Sequence, residues 1–151
     1  MIYRIAYRLA ATFMMVCMSF TVHAETSFKL GGLSTHLSGG DYNAFHRLII
    51  ISHNDYFGGY FRNSFDDDSF VLGHTWGFED SVFRFNLHGG VVYGYRKSSH
   101  CYKAQEEKLD EPKVTCLFVA PEVMAHLVPL KPSITIFGPG ALVLSINLDL
   151  P

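Results

Sequence analysis

The chain has 151 residues, with 12 lysines and arginines against 14 aspartates and glutamates and a formal net charge of −2. That is the length of one domain, and the charges form no concentrated basic patch, which excludes nucleic acid as a partner. In no window after residue 24 do apolar residues sustain a helical period or approach the roughly 20 needed for a membrane-spanning helix, so the fold must be built from strands.

The N-terminal stretch "MIYRIAYRLAATFMMVCMSFTVHA" has Arg4 and Arg8, an apolar run, and Val22-His23-Ala24 before Glu25. A charged start, an apolar middle and a small-x-small end predict a secretory signal over 1–24 and a mature barrel domain over 25–151. Without that segment, 10 basic residues face 14 acidic ones. Cys17 leaves with the signal, and the two remaining cysteines, Cys101 and Cys116, bracket the polar stretch "YKAQEEKLDEPKVT". In an oxidising compartment, one pair spaced this way predicts a disulfide.

Beyond the signal, alternation recurs. Strands are predicted at about 27–37, 44–53, 56–65, 68–78, 81–97, 115–127, 132–138 and 141–150. In the fifth, Phe83, Phe85, Leu87, Val91, Tyr93 and Tyr95 share one parity, opposed by Arg84, Asn86, His88, Gly90, Val92 and Gly94. A soluble sandwich would carry more Lys, Glu and Thr on its second face. A lipid-facing barrel sets apolar side chains outside, aromatics at both interfaces, and polar or small residues within. Eight strands, short connections after the second, fourth and sixth, and a long Cys101–Cys116 segment predict an all-β, eight-stranded antiparallel transmembrane barrel. Closure satisfies strand edges where no water is available. The run "LIII" at Leu48–Ile51 departs from this pattern, being apolar on both parities. The inward polar residues of the fifth strand, with Glu122, Ser145 and Asn147 as partners, predict a polar plug in the periplasmic half of the lumen and a small-residue cavity, lined by Gly90, Val92 and Gly94, in the outer half.

The third strand leads into Arg62-Asn63-Ser64 and three aspartates; "GHTW" follows at 73–76, then the glycine-rich "FRFNLHGGVVYGYR" and the proline-bearing "VAPEVMAHLVP", while His36 ends the first strand. This order and spacing, over about residues 56–150, resembles the PagP-type lipid A palmitoyltransferases of the Gram-negative outer membrane. The resemblance implies acyl transfer from a phospholipid to lipid A or a similar acceptor. His36, Ser64 and Asn63 would form the catalytic group, with Arg62 at the oxyanion or lipid headgroup. Thr75 would sit on the acyl-pocket floor, because it replaces the second glycine of the family's Gly-x-Gly-Trp and so favours chains shorter than palmitate. No metal or organic cofactor enters the chemistry. The partners are outer-membrane phospholipid and lipopolysaccharide, and the barrel is expected to be a monomer. Asp66, Asp67 and Asp68 would lie at a loop tip where divalent cations bridging lipid phosphates can sit.

This sequence departs from the family in having Asn63 for its aspartate, no amphipathic helix ahead of the first strand, and a shorter first hairpin. A non-catalytic outer-membrane barrel with a lipid-binding, envelope or surface-interaction role is the alternative, and a soluble periplasmic lipid-binding barrel is a third. Asn-Ser before a loop is also ordinary turn chemistry, and three aspartates at a hairpin tip are also a solvated turn.

Pairing of Cys101 with Cys116 closes a 16-residue segment, with an expected stabilisation of about 3 kcal/mol in the chain-entropy model. Alkylation of the unreduced protein should leave both thiols unmodified; rapid labelling of both excludes the bridge.

Overall fold

A computed structural model describes residues 25–37, 42–80, 82–96, 112–126, 130–138 and 140–150. The predicted signal segment and Cys101 lie outside the described residues. The elements are β1 (Thr26–His36), β2 (Phe45–His53), β3 (Tyr56–Arg62), β4 (Asp68–Glu79), β5 (Phe83–Arg96), β6 (Lys113–Ala125), β7 (Lys131–Phe137) and β8 (Ala141–Asp149). Each strand pairs antiparallel with its chain neighbour, and β1 pairs with β8 to close one barrel. All eight predicted strands are present. The third ends at Arg62 rather than residue 65, because Asn63 turns the chain there.

Period-2 alternation gives the wall two faces. Outward stand Ile49, Ile51, Phe70, Leu72, Trp76, Phe78, Phe85, Leu87, Leu117, Val119, Ile134 and Leu144, all exposed. Inward, Phe57, Phe61, Val71, Val92, Phe118 and Ala120 form a buried cluster, with Leu48 and Ile50 packed against it. Both faces of β2 are therefore apolar for different reasons, which explains the "LIII" run: Leu48 and Ile50 fill the lumen, while Ile49 and Ile51 face out.

Besides a register shift between Tyr93 and Tyr95 in the β5–β6 pairing, two irregularities shape the lumen. Between Gly31 and Leu33 the register of β1 shifts against both β2 and β8. Gly31 and Gly32 have φ of 110° and 91°, and Arg47, opposite on β2, has φ of 45°. This is a β-bulge, an extra residue that bends a strand and re-aims a side chain. A Cβ on Gly32 would lie 2.9 Å from the Leu48 Cβ and 3.0 Å from the His46 Cβ, so the backbone of β1 packs directly on those two residues. The second irregularity is between β6 and β7. Their ladder runs from Met124–Ser133 to Glu122–Thr135 and stops, although Ile136 and Phe137 continue β7. The next residue of β6 is Pro121, which has no amide hydrogen to extend it.

Where β4 meets β5, Gly73 is paired with Gly90. A Cβ on Gly90 would fall 2.2 Å from the Leu72 carbonyl oxygen and 2.6 Å from the Gly73 Cα, whereas one on Gly58 meets nothing nearer than 3.6 Å. Gly90→Ala forces backbone apart and should destabilise the barrel by about 1–3 kcal/mol. Gly58→Ala should cost at most a few tenths. Urea unfolding of the two variants, followed by tryptophan fluorescence, checks the contrast.

Candidate functional site

The lumen has two levels. Toward the end formed by Thr26, Glu79 and Asp149, side chains of β1, β5 and β6 converge on Glu122, which is buried. Lys29 Nζ donates to its Oε2 at 2.6 Å, and His88 Nε2 meets the same oxygen. Thr75 Oγ1 lies 2.9 Å from His88 Nδ1 and holds the imidazole from its far side. Beside this cluster, Ser133 and Ser145 are bonded at 2.9 Å, and Asn147 donates to Ser133 at 3.0 Å. The predicted polar plug is present with Glu122 bonded to His88 of the fifth strand, but Ser145 and Asn147 bond Ser133 of β7 instead of that strand. Glu122 pairs with His88 and Lys29, while Arg84 bonds Asn86 and reaches Asp55 and Glu79 at the barrel's end. A carboxylate taken out of water needs such compensation.

Above the plug lies a cavity of about 90 Å³ whose lining is almost wholly apolar: Leu48, Ile50, Phe57, Phe61, Phe118 and Phe137 supply most of it, with Lys29 and His88 reaching it from the plug. Ser64, Tyr95 and Ala141 line it at the opposite end of the barrel. Aromatic side chains rather than the glycines of β5 dominate its wall, since Gly73 and Gly90 are spent on close strand approach. Thr75, expected on the pocket floor, is not among the lining residues. It stands one layer lower, bonded to His88, and the floor is made by His88 and Lys29 instead.

The rim residues singled out from the sequence gather near the cavity mouth in unexpected roles. Asn63 is fully buried and its amide is entirely engaged. Its Oδ1 accepts from the backbone N–H of Phe65 at 2.9 Å and of Asp67 at 3.1 Å, and its Nδ2 donates to Ser69 Oγ and the Gly94 carbonyl, both at 3.2 Å. This is an Asx-type cap that closes the β3–β4 turn. Ser64 lines the cavity, and its carbonyl accepts the Asn43 N–H at 2.8 Å. His36 stacks on Tyr42 with ring centroids 4.3 Å apart, and Tyr42 in turn meets Phe65 at 5.9 Å. The His36 Nε2 is buried with no hydrogen-bond partner, so His36 and Ser64 are not joined.

Arg62 turns its guanidinium along the rim, donating to Asp66 at 2.8 Å with Asp68 3.6 Å away. Asp67 is bound by Arg96 at 3.0 Å and Lys113 at 3.2 Å. Tyr60 donates to Asp68 at 2.6 Å, and this bond, with the nearby Arg62 charge, holds the Asp68 carboxyl below its usual range. The three aspartates are thus divided among protein partners, and among the described residues no group of three His, Cys, Asp or Glu side chains is arranged to hold a metal.

A residue absent from the sequence-based site stands at its centre. His46, the second residue of β2, is buried and lines the cavity. Its Nδ1 lies 2.6 Å from the Arg62 carbonyl oxygen and its Nε2 2.6 Å from Ser34 Oγ. A carbonyl only accepts, so Nδ1 carries the proton and Nε2 of the neutral ring is left to accept from Ser34. The available signal was parity: His46 shares its inward face with Leu48 and Ile50. No protein-family model and no curated protein matches this chain.

Because the Asn63 amide is fully engaged as a cap, an aspartate at this position bears directly on stability. Asn63→Asp removes both Nδ2 donors and buries a carboxylate against the Ser69 hydroxyl and the Gly94 carbonyl. The variant should lose about 1–3 kcal/mol of stability. Urea midpoints at neutral pH check this; an unchanged midpoint refutes the cap.

Proposed function

We propose that this barrel resides in a Gram-negative outer membrane, takes the end of a phospholipid acyl chain into its cavity, and transfers the acyl group to lipid A or a similar acceptor at its rim. The observation that carries the reading is an apolar cavity closed below by a charged plug and bordered above by hydroxyl and imidazole groups. A water-filled pore has no use for six apolar lumen walls, and a purely structural barrel has no need of the space.

The exterior supports the membrane assignment. Exposed apolar side chains encircle the strands, with Phe45, Phe70 and Tyr93 toward one end and Tyr56, Trp76, Phe78, Phe83 and Phe85 toward the other. Two aromatic girdles around an aliphatic band are what a bilayer selects, and so large an apolar surface is unstable in water. The interrupted β6–β7 ladder supports lateral entry. It lies beside Ala120, Thr135 and Phe137, which line the cavity, so a chain in the bilayer can pass between strands without breaking backbone bonds. A cavity of about 90 Å³ is well below the roughly 300 Å³ of an ordinary small-molecule pocket. It suits the last methylenes of a chain and therefore a chain shorter than palmitate.

The engagement of Asn63 as a cap favours a second reading, in which the barrel binds an acyl chain without transferring it. Mass spectrometry of lipid A from cells with and without the protein separates the two. An added acyl group of fewer than 16 carbons is expected, together with heat-modifiable migration of the protein in outer-membrane fractions. An unchanged lipid A spectrum with protein present in that membrane favours binding alone. Recovery as a soluble protein overturns both.

A further inference from the structure

We infer that Ser34 is an acyl-accepting nucleophile and His46 its general base, a pair supported by the Arg62 carbonyl. The inference deepens the proposed function and rests on it for the identity of the acyl donor. Its basis is geometric. Ser34 Oγ and His46 Nε2 are 2.6 Å apart, and the other ring nitrogen is fixed by a carbonyl at the same distance. A nucleophile, a base and a group that sets the base's tautomer, linked in that order, are the elements of serine acyl transfer.

Three further features fit this role better than a mere cross-strand tie. His46 lines the cavity wall, so its ring borders the space where an acyl chain would lie, whereas Ser34 is half-buried on the rim. The ester of a chain inserted tail-first comes to rest at that level. The bulge at Gly31-Gly32 and Arg47 flanks both residues, and Gly32 brings the β1 backbone against the His46 Cβ. Positive φ at a non-glycine such as Arg47 costs on the order of 1–3 kcal/mol and persists where the surroundings enforce it, often beside functional groups. Lastly, the Asn63 cap fixes the turn immediately after the Arg62 carbonyl, which makes Asn63 a positioning residue for the pair.

The step balances as follows. Ser34 Oγ attacks the ester carbonyl carbon of the phospholipid, and its proton passes to His46 Nε2. The ester C–O bond breaks and the lysophospholipid leaves as an alcohol with that proton. An acceptor hydroxyl then gives its proton to Nε2 and attacks acyl-Ser34, whose oxygen recovers the proton as the new ester departs.

The test uses the folded barrel in detergent micelles and octyl fluorophosphonate, which phosphonylates activated serines. Peptide mass spectrometry should find the adduct on Ser34, and His46→Gln should slow labelling by about 10²-fold or more. A label on Ser64 instead, or on no serine, overturns the pair. Ser34→Cys guards against variants that fail for other reasons. Its alkylation by chloroacetamide should plateau well below the ordinary thiol pKa of about 8.5 and revert toward it with His46→Gln. A free-thiol profile in both backgrounds overturns the inference. Ser34 labelling with unchanged lipid A would retain the pair and reject the acceptor. New lipid A acylation without Ser34 labelling would retain the function and reject the pair.

Discussion

One buried carboxylate organises the lumen. Glu122 sits inside a closed barrel, where desolvation alone would disfavour its charge, and it is held by Lys29 from β1 and His88 from β5. Breaking such a pair leaves an uncompensated charge, which is far more costly than never having buried it. The cluster therefore ties β1 across the lumen to the adjacent β5 and β6 at one height. Below that height the lumen holds the bonded Ser133, Ser145 and Asn147 beside the buried Met124, and above it the apolar cavity opens toward the rim. The apolar cavity lies between this layer and the polar rim of Ser34, His46 and Asn63.

Above that layer the rim is governed by backbone rather than by charge. Asn63 closes the β3–β4 turn with its own amide, and the neighbouring Arg62 carbonyl then becomes a fixed acceptor for His46. The bulge does the matching work from β1, carrying Gly32 against His46 and Ser34 within reach of its Nε2. The aspartates that follow Asn63 serve the same end, since Asp67 binds Arg96 and Lys113 and so ties the turn to β5 and β6.

The strands were legible because alternation is a local property of the chain, and a wall with one face outward shows it directly. The two-level lumen was legible too, since Arg84, Asn86 and His88 precede Gly90 and Val92 on the same inward parity. The site was less so. Whether His36 or His46 meets a serine depends on how β1 registers against β2, and that register is set by a bulge whose extra residue no periodicity reveals. Thr75 was assigned to the right face but to the wrong layer, because parity fixes a direction and leaves height to pairing with β5, where Thr75 stands opposite His88. Asn63 read as a substituted acid when its local turn chemistry was the fuller account of it.

The bulge has a bearing on assembly as well as on geometry. In an alternating barrel, hydrophobicity forbids a one-residue slip between strands, since every side chain would change face, but it is indifferent to a slip of two. The irregularity between Gly31 and Leu33 removes that degeneracy, because it appears in the pairing of β1 with β2 and again in the pairing of β1 with β8. Against β2, Gly32 faces the two residues His46 and Arg47, and against β8 it is itself the extra residue, so both seams must accommodate it. The strand that begins the barrel and the strand that closes it are thereby held to a common alignment, and a barrel that has slid by one dyad repeat has nowhere to put Gly32.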